Sequence, residues 1–233
     1  MYNSRIKNGQ FYEPLKSKND CFSATCIHGI YLDDGQVPML QHNNIVIEEY
    51  SSGWPMAFAQ LQSVYRSRLG SYVAAVEHVG STSVEGLPAK PVIDIDLIIE
   101  DSVLLKPVIA VLQELGYQHA GDLGIAGREA FKRTSSLTPV DGSSRTWPAH
   151  HLYVCTAGNI SLKNHLALRN YLRSHPKKAQ AYGQLKKRLA KEYPNDIDAY
   201  VAGKTEFITG VLKEMGFDAA DLDDITKQNK LVK

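Results

Sequence analysis

Apolar positions along this chain change period twice, and the changes predict its elements. Ile45, Val46 and Ile47 form a short run that reads as a strand. Trp54-Pro55 opens a helix in which Phe58, Leu61, Tyr65 and Leu69 recur at helical spacing until Gly70. Strands follow at 72–79 and 92–99, where apolar residues run close together. Ser102 is placed to cap a helix carrying Leu105, Val108, Leu112 and Leu115 on one face before Gly116. Shorter strands are expected at 116–120, 128–133 and 150–155. The first part of the chain thus has a βαβ-like rhythm.

The last third turns helical. A helix is predicted over 162–174, and a second starts at Pro176 with Ala179, Tyr182, Leu185 and Leu189 inward. Asp196 is placed to cap a third, bearing Tyr200, Val201, Phe207, Ile208, Val211 and Leu212 and closed by Gly216. Residues 1–43 read as a polar, irregular extension with one possible hairpin at Asp33-Asp34-Gly35. Residues 44–216 read as one domain and 217–233 as a tail, expected to fray after Asp224. The fold class expected is α+β.

Composition narrows the picture modestly. With 233 residues, 43% hydrophobic and 22% charged, the chain can bury a substantial core. MYNSRIKNGQ has no apolar stretch behind its early charges, and no run approaches the ~18 apolar residues of a membrane span, so a cytoplasmic protein is expected. Cys21, Cys26 and Cys155 lack metal-binding or disulfide spacing and read as inert thiols.

A net charge of +1 hides an uneven distribution: 142–191 contains no acid but carries Arg145, Lys163, Arg169, Arg173, Lys177, Lys178, Lys186, Lys187, Arg188 and Lys191. Clustered helices would make this a phosphate-attracting side. Taken singly, each of these lysines reads as part of a solvated helix face.

The chemistry concentrates in EHVGSTSVEGLPAKPVIDIDLIIE, residues 77–100. Alternation along a strand puts Asp94 and Asp96 on one face and Ile93, Ile95 and Leu97 on the other. Two neighbouring carboxylates repel, and a divalent cation is a common remedy; oxygen donors suit magnesium, which favours one or two carboxylates plus phosphates. The loop before them offers a complement. Gly80 admits close backbone approach, Ser81, Thr82 and Ser83 offer donors, and Lys90 offers countercharge. The expected ligand is a nucleoside triphosphate with magnesium, manganese being the alternative ion. A P-loop is excluded on spacing, because Leu87 stands where its lysine would follow Gly86.

Gly-Ser, residues 82–93 and then Asp-Ile-Asp resemble the pattern of the nucleotidyltransferase superfamily that includes DNA polymerase β. The wording is similar to the GrpB family, whose signature resembles E-H-x-G-S-T-S-V-x-G-L-x-A-K-P-x-x-D-I. The similarity continues through GREAFKR, RTWPAHHLYV, HLALRNYLRSHPKKAQAY, LKKRLA and DAYVAGKTEFI, spanning roughly 44–216.

The resemblance implies a nucleotidyltransferase-like mixed sheet flanked by helices, with Asp94 and Asp96 as catalytic metal ligands. It also implies a third carboxylate on a neighbouring strand, but 150–154 reads His-His-Leu-Tyr-Val. Glu129 is the possible substitute. His151 is a candidate general base, with a structural hydrogen bond as the alternative for it and His150. Arg128 and Arg145 would clamp phosphate or neutralise the aspartates, Arg169 to Arg173 would line the cleft, and His78 would pack at a strand end. Nucleotidyl transfer to an unknown acceptor is the leading reading. A phosphate-binding module without chemistry and a folding-accessory interaction protein are the alternatives. Nucleic acid is a possible acceptor that no motif supports.

Overall fold

The computed structural model describes residues 44–230. The hairpin expected at Asp33-Asp34-Gly35, and Cys21 and Cys26, lie outside the described residues.

Helix α1, Gly53–Leu69, runs where its periodicity places it. A 3₁₀ turn, Gly70–Tyr72, then delays the first strand, β1, to Ala75–Val79. Strand β2 is Ile93–Ile99; a 3₁₀ turn, Ser102–Leu104, capped by the Asp101 carboxylate accepting from Val103 N at 2.9 Å, then leads into helix α2, Leu105–Glu114, so Ser102 is not the cap. Strands β3, Tyr117–His119, β4, Arg128–Arg133, and β5, His150–Thr156, complete one mixed sheet in the order β1-β2-β5-β4-β3. Only β2 and β5 are parallel. Ile45 to Ile47 form no strand: a single bridge joins Glu48 to Ala89, and Ile45 packs against Leu189 and Tyr200.

Strand alternation sorts the sheet into two faces with different chemistry. Ile93, Ile95, Leu97, Leu152, Val154 and Phe131 meet α1 and α2 in the main core. His150 belongs to this side, within 2.5 Å of Tyr117 Oη. The opposite face presents Asp94, Asp96, His151, Tyr153 and Arg128, and helices cover it.

Helices α3, Ile160–Ser174, α4, Pro176–Glu192, and α5, Ile197–Glu214, form that cover. Asn159 caps α3 through Ser161 N at 2.7 Å, Pro176 starts α4, and Asp196 caps α5 through Ala199 N at 2.9 Å. The helices bury Leu168, Leu172, Tyr182, Ile208 and Leu212 in a second core with Val84 and Leu87. Burial of each such side chain contributes about 1.5–3 kcal/mol.

The tail differs from expectation. Helix α6, Ala219–Lys230, continues to the end of the described residues, with Ile225 buried in the second core and Asn229 Nδ2 donating to Thr205 Oγ1 at 3.1 Å. Leu222 packs beside Ile225, so a short apolar stripe with one buried amide seats a largely polar helix.

Candidate functional site

Strand β1 ends in Gly80, whose φ of +68° turns the chain into the 3₁₀ turn Ser81–Ser83. A β-carbon on Gly80 would stand 2.0 Å from Asp94 Oδ2, so glycine is required both for the turn and for the approach of loop to strand. The three hydroxyls of the turn then divide. Ser83 Oγ donates to Gly80 O at 2.6 Å, closing the turn. Thr82 Oγ1 donates to Val92 O at 3.3 Å and lies 3.0 Å from His78 Nε2. Ser81 Oγ is buried with no hydrogen-bond partner among the described residues.

The two aspartates divide as well. Asp94 Oδ1 accepts from His151 Nδ1 at 2.9 Å, and Asp94 lines two adjoining clefts. Asp96 is 0% exposed, and its Oδ2 accepts from His165 Nδ1, on α3, at 2.8 Å. Each carboxylate therefore orients one imidazole through Nδ1, a second-layer arrangement that fixes ring orientation.

One cleft is lined by Val79, Ser81, Asp94, His165, Leu172 and Tyr182 among others. The other is lined by Ser81, Lys90, Asp94, His151, Lys186 and Tyr200 among others. Ser81 and Asp94 are common to both.

Cations surround this face. Arg128 is 0% exposed, with its guanidinium 4.6 Å from the Tyr153 ring centroid. Lys186 is 2% exposed, donates to Pro88 O and lies 4.9 Å from the Tyr182 ring centroid; Lys204 is 1% exposed and 4.4 Å from that of Tyr200. Burial holds the Lys186 ammonium well below the usual lysine range, Lys204 adding to the shift and Asp94 opposing it. Burial, then Asp96, pushes the Cys155 thiol up, while Arg128 opposes.

Arginines on α3 brace the turn. Arg169 Nη1 donates to Glu77 Oε2 at 2.6 Å and His78 O at 2.9 Å; Arg173 gives two bonds to Ser83 O at 2.7 and 3.0 Å. His78 stacks on Phe58 at 4.6 Å between centroids, and burial, then Arg173 and Arg169, lowers its pKa to about 3.

Several expected participants stand elsewhere. Arg145 lines neither cleft: it pairs with Asp141 at 3.0 Å and stacks over Trp147 at 3.9 Å. Glu129 shares the main-core side with Phe131 and pairs with His119 at 2.6 Å, so it does not complete the aspartate face. The β5 and β4 positions nearest Asp96 on that face are Tyr153 and Ala130. Among the described residues, no group of three or more His, Cys, Asp or Glu side chains is placed to hold a metal ion. No helix among them is long and apolar enough to cross a membrane.

The sequence did not single out His165 or Lys204, and Lys186, expected in a basic interval and singly on a solvated helix face, is buried. Each interrupts an otherwise apolar stripe: His165 between Leu162 and Leu168, Lys186 between Tyr182 and Leu189, Lys204 between Val201 and Ile208. A polar residue at an inward position is the signal that would have found them.

Comparison with known proteins places the chain. The family model described as GrpB protein matches residues 44–214. UPF0157 protein YqkA of Bacillus subtilis is 33% identical over 159 residues, 68% of this chain and 43% of that one, so the match spans less than half of that relative's length. The glutamate-rich protein GrpB of Alkalihalophilus pseudofirmus is 31% identical over 175 residues, 73% of this chain and 95% of that one. The crystal structure of conserved protein GrpB from Enterococcus faecalis superposes with a TM-score of 0.62 at 32% identity, covering 77% of this chain and 98% of that one. With Gly80, Ser81, Asp94 and Asp96 inside the matched span, the chain belongs to the GrpB protein family.

Proposed function

We propose that this protein binds a nucleoside triphosphate in the cleft lined by Ser81, Lys90, Asp94 and Lys186, on a nucleotidyltransferase-like fold, and transfers the nucleotidyl group to an acceptor. The observation that carries the reading is Ser81 Oγ, buried without a partner where both clefts meet beside Asp94. A buried hydroxyl left unbonded carries a desolvation penalty that a phosphate oxygen would relieve. Lys90 and Lys186 line the same cleft, Lys90 supplying countercharge and Lys186 N–H donors, while Gly80 lets a ligand reach the turn.

Magnesium fits this site in part. Asp94 lines both clefts and would hold a single ion arriving with the triphosphate, since magnesium accepts one carboxylate with phosphate oxygens. Asp96 does not fit as a second ligand, being enclosed and bonded to His165. When bound, the ion would shield the phosphates and favour departure of pyrophosphate. Binding without turnover is the second reading, favoured by Tyr153 and Ala130 standing where a third acid would.

The test is the thermal midpoint of the purified protein with ATP, GTP, CTP or UTP, each with and without magnesium, beside Asp94→Asn. A ligand at 100 times its Kd stabilises the native state by about 2.7 kcal/mol. A magnesium-dependent rise with one nucleotide, lost in the variant, is expected; no rise with any at millimolar concentration removes the reading.

A further inference from the structure

The cleft between β1, α3 and α4 contains three buried polar groups with no partner among the described residues: His165 Nε2, Tyr182 Oη and Ser81 Oγ. Val79, Leu168 and Leu172 supply apolar wall around them. One unsatisfied buried group is common enough in a folded protein; three on residues that line one cleft point to an unfilled hydrogen-bonding site. We infer that this cleft is the acceptor subsite, which takes the hydroxyl of an alcohol and hands its proton to His165.

The chemistry follows from the tautomer. Asp96 Oδ2 accepts from His165 Nδ1, so in the neutral ring Nε2 carries a lone pair and no proton. A ligand in this cleft must therefore offer a donor to Nε2, which a hydroxyl does. Tyr182 Oη donates to the hydroxyl oxygen and completes its bonding, while the Ser81 O–H remains for a phosphate oxygen at the junction of the clefts. A carboxylate carries no proton at neutral pH and would leave Nε2 unsatisfied.

The inference rests on the triphosphate reading, because Ser81 and Asp94 border both clefts and bring the two ligands together. In the step proposed, the acceptor oxygen attacks the α-phosphorus, its proton passes to His165 Nε2, and a new P–O bond forms. The bond from the α-phosphorus to its bridging oxygen breaks, and pyrophosphate leaves with that electron pair. Asp96 is a positioning residue, aligning the ring that becomes imidazolium.

Glycerol is the acceptor probe. Pyrophosphate release by the full chain with magnesium and each nucleotide is expected to rise with glycerol. His165→Gln should lower kcat about 100-fold or more while leaving the nucleotide-induced midpoint shift unchanged. Imidazole should restore part of the rate in His165→Ala, which a purely structural histidine would not allow. Tyr182→Phe, which keeps the ring and the fold, should raise the glycerol concentration needed about tenfold.

A nucleotide-free arm separates the two readings: on titrating glycerol, the imidazole ¹⁵N resonance of His165 Nε2 should shift while Nδ1 stays put. No shift there overturns the subsite whatever the nucleotide result. Nucleotide binding with no glycerol-stimulated release, or full activity in His165→Gln, overturns the proton-transfer role. A shift at Nε2 without any nucleotide effect would sink the triphosphate reading and, with it, the transfer step.

Discussion

Asp96 Oδ2 and His165 Nδ1 stand 2.8 Å apart although 69 residues separate them, and both side chains are buried between α3 and the sheet. The bond ties the helical third to the sheet and sets the orientation of the imidazole. It also makes the two aspartates of the Asp-Ile-Asp run unequal, one enclosed and one lining clefts.

Removing that carboxylate should be costly to the fold. Asp96→Ala leaves the His165 N–H, with Arg128 nearby on the same face, buried without the acid. Leaving a buried N–H without its acceptor costs about 1–3 kcal/mol. Urea unfolding should show that loss, and a change under about 1 kcal/mol would mean that the pair contributes little.

Gly80→Ala should be damaging in a different way. The φ of +68° disfavours a side chain, and the new β-carbon meets Asp94 Oδ2 at 2.0 Å. Strain and overpacking together amount to about 3 kcal/mol, and the displaced Asp94 should abolish the magnesium-dependent midpoint shift. Retention of both stability and shift would show that the loop relaxes freely.

Acid should destabilise the protein through two buried histidines. His78 and His150 are lowered to about 3, in both cases chiefly by burial; Arg173 and Arg169 add to the shift at His78, and Arg133 at His150. Their folded pKa values lie below the unfolded value of about 6.5, so the unfolded chain binds the protons first. The stabilisation is present above about pH 6.5 and is lost as pH falls toward 3, at about 1.4 kcal/mol per pH unit for each ring. Urea titrations between pH 7.5 and 4 should slope accordingly, and His150→Asn should flatten the slope by one proton's worth.

Lys186→Met should separate binding from folding. The replacement keeps the length of a side chain that is 2% exposed while removing its charge and its bond to Pro88 O. The midpoint should move by only a few degrees, because losing a bond of about 1 kcal/mol is offset by relief of a desolvated charge. Nucleotide affinity should fall about tenfold or more; unchanged affinity would place the phosphates away from this lysine.

Much of the fold is legible in periodicity. The stripe of α1, Pro176 at the start of α4, the Asp196 cap and the alternation of β2 each express a local rule that the packing respects. The misses share a cause. Ile45 to Ile47 and the tail after Asp224 have weak local patterns, and each is placed by distant partners: Ile45 by Leu189 and Tyr200, Ile225 by the second core. Local propensity cannot report a contact made by another part of the chain.

The sequence by itself determined that Asp94 and Asp96 share a face, that Gly80 and Ser81 precede them on a turn, and that isoleucines face the other way. Those follow from the two-residue period of a strand and the steric freedom of glycine, both properties of a few neighbouring residues. Tertiary structure alone decided which hydroxyl of the turn stays unbonded, which aspartate lines the clefts, and that His165, Lys186 and Lys204 come to meet them. Those outcomes depend on how three helices, more than sixty residues downstream, lie across the sheet. Burial and hydrogen-bond satisfaction are set by what covers a face, and no local pattern contains the cover.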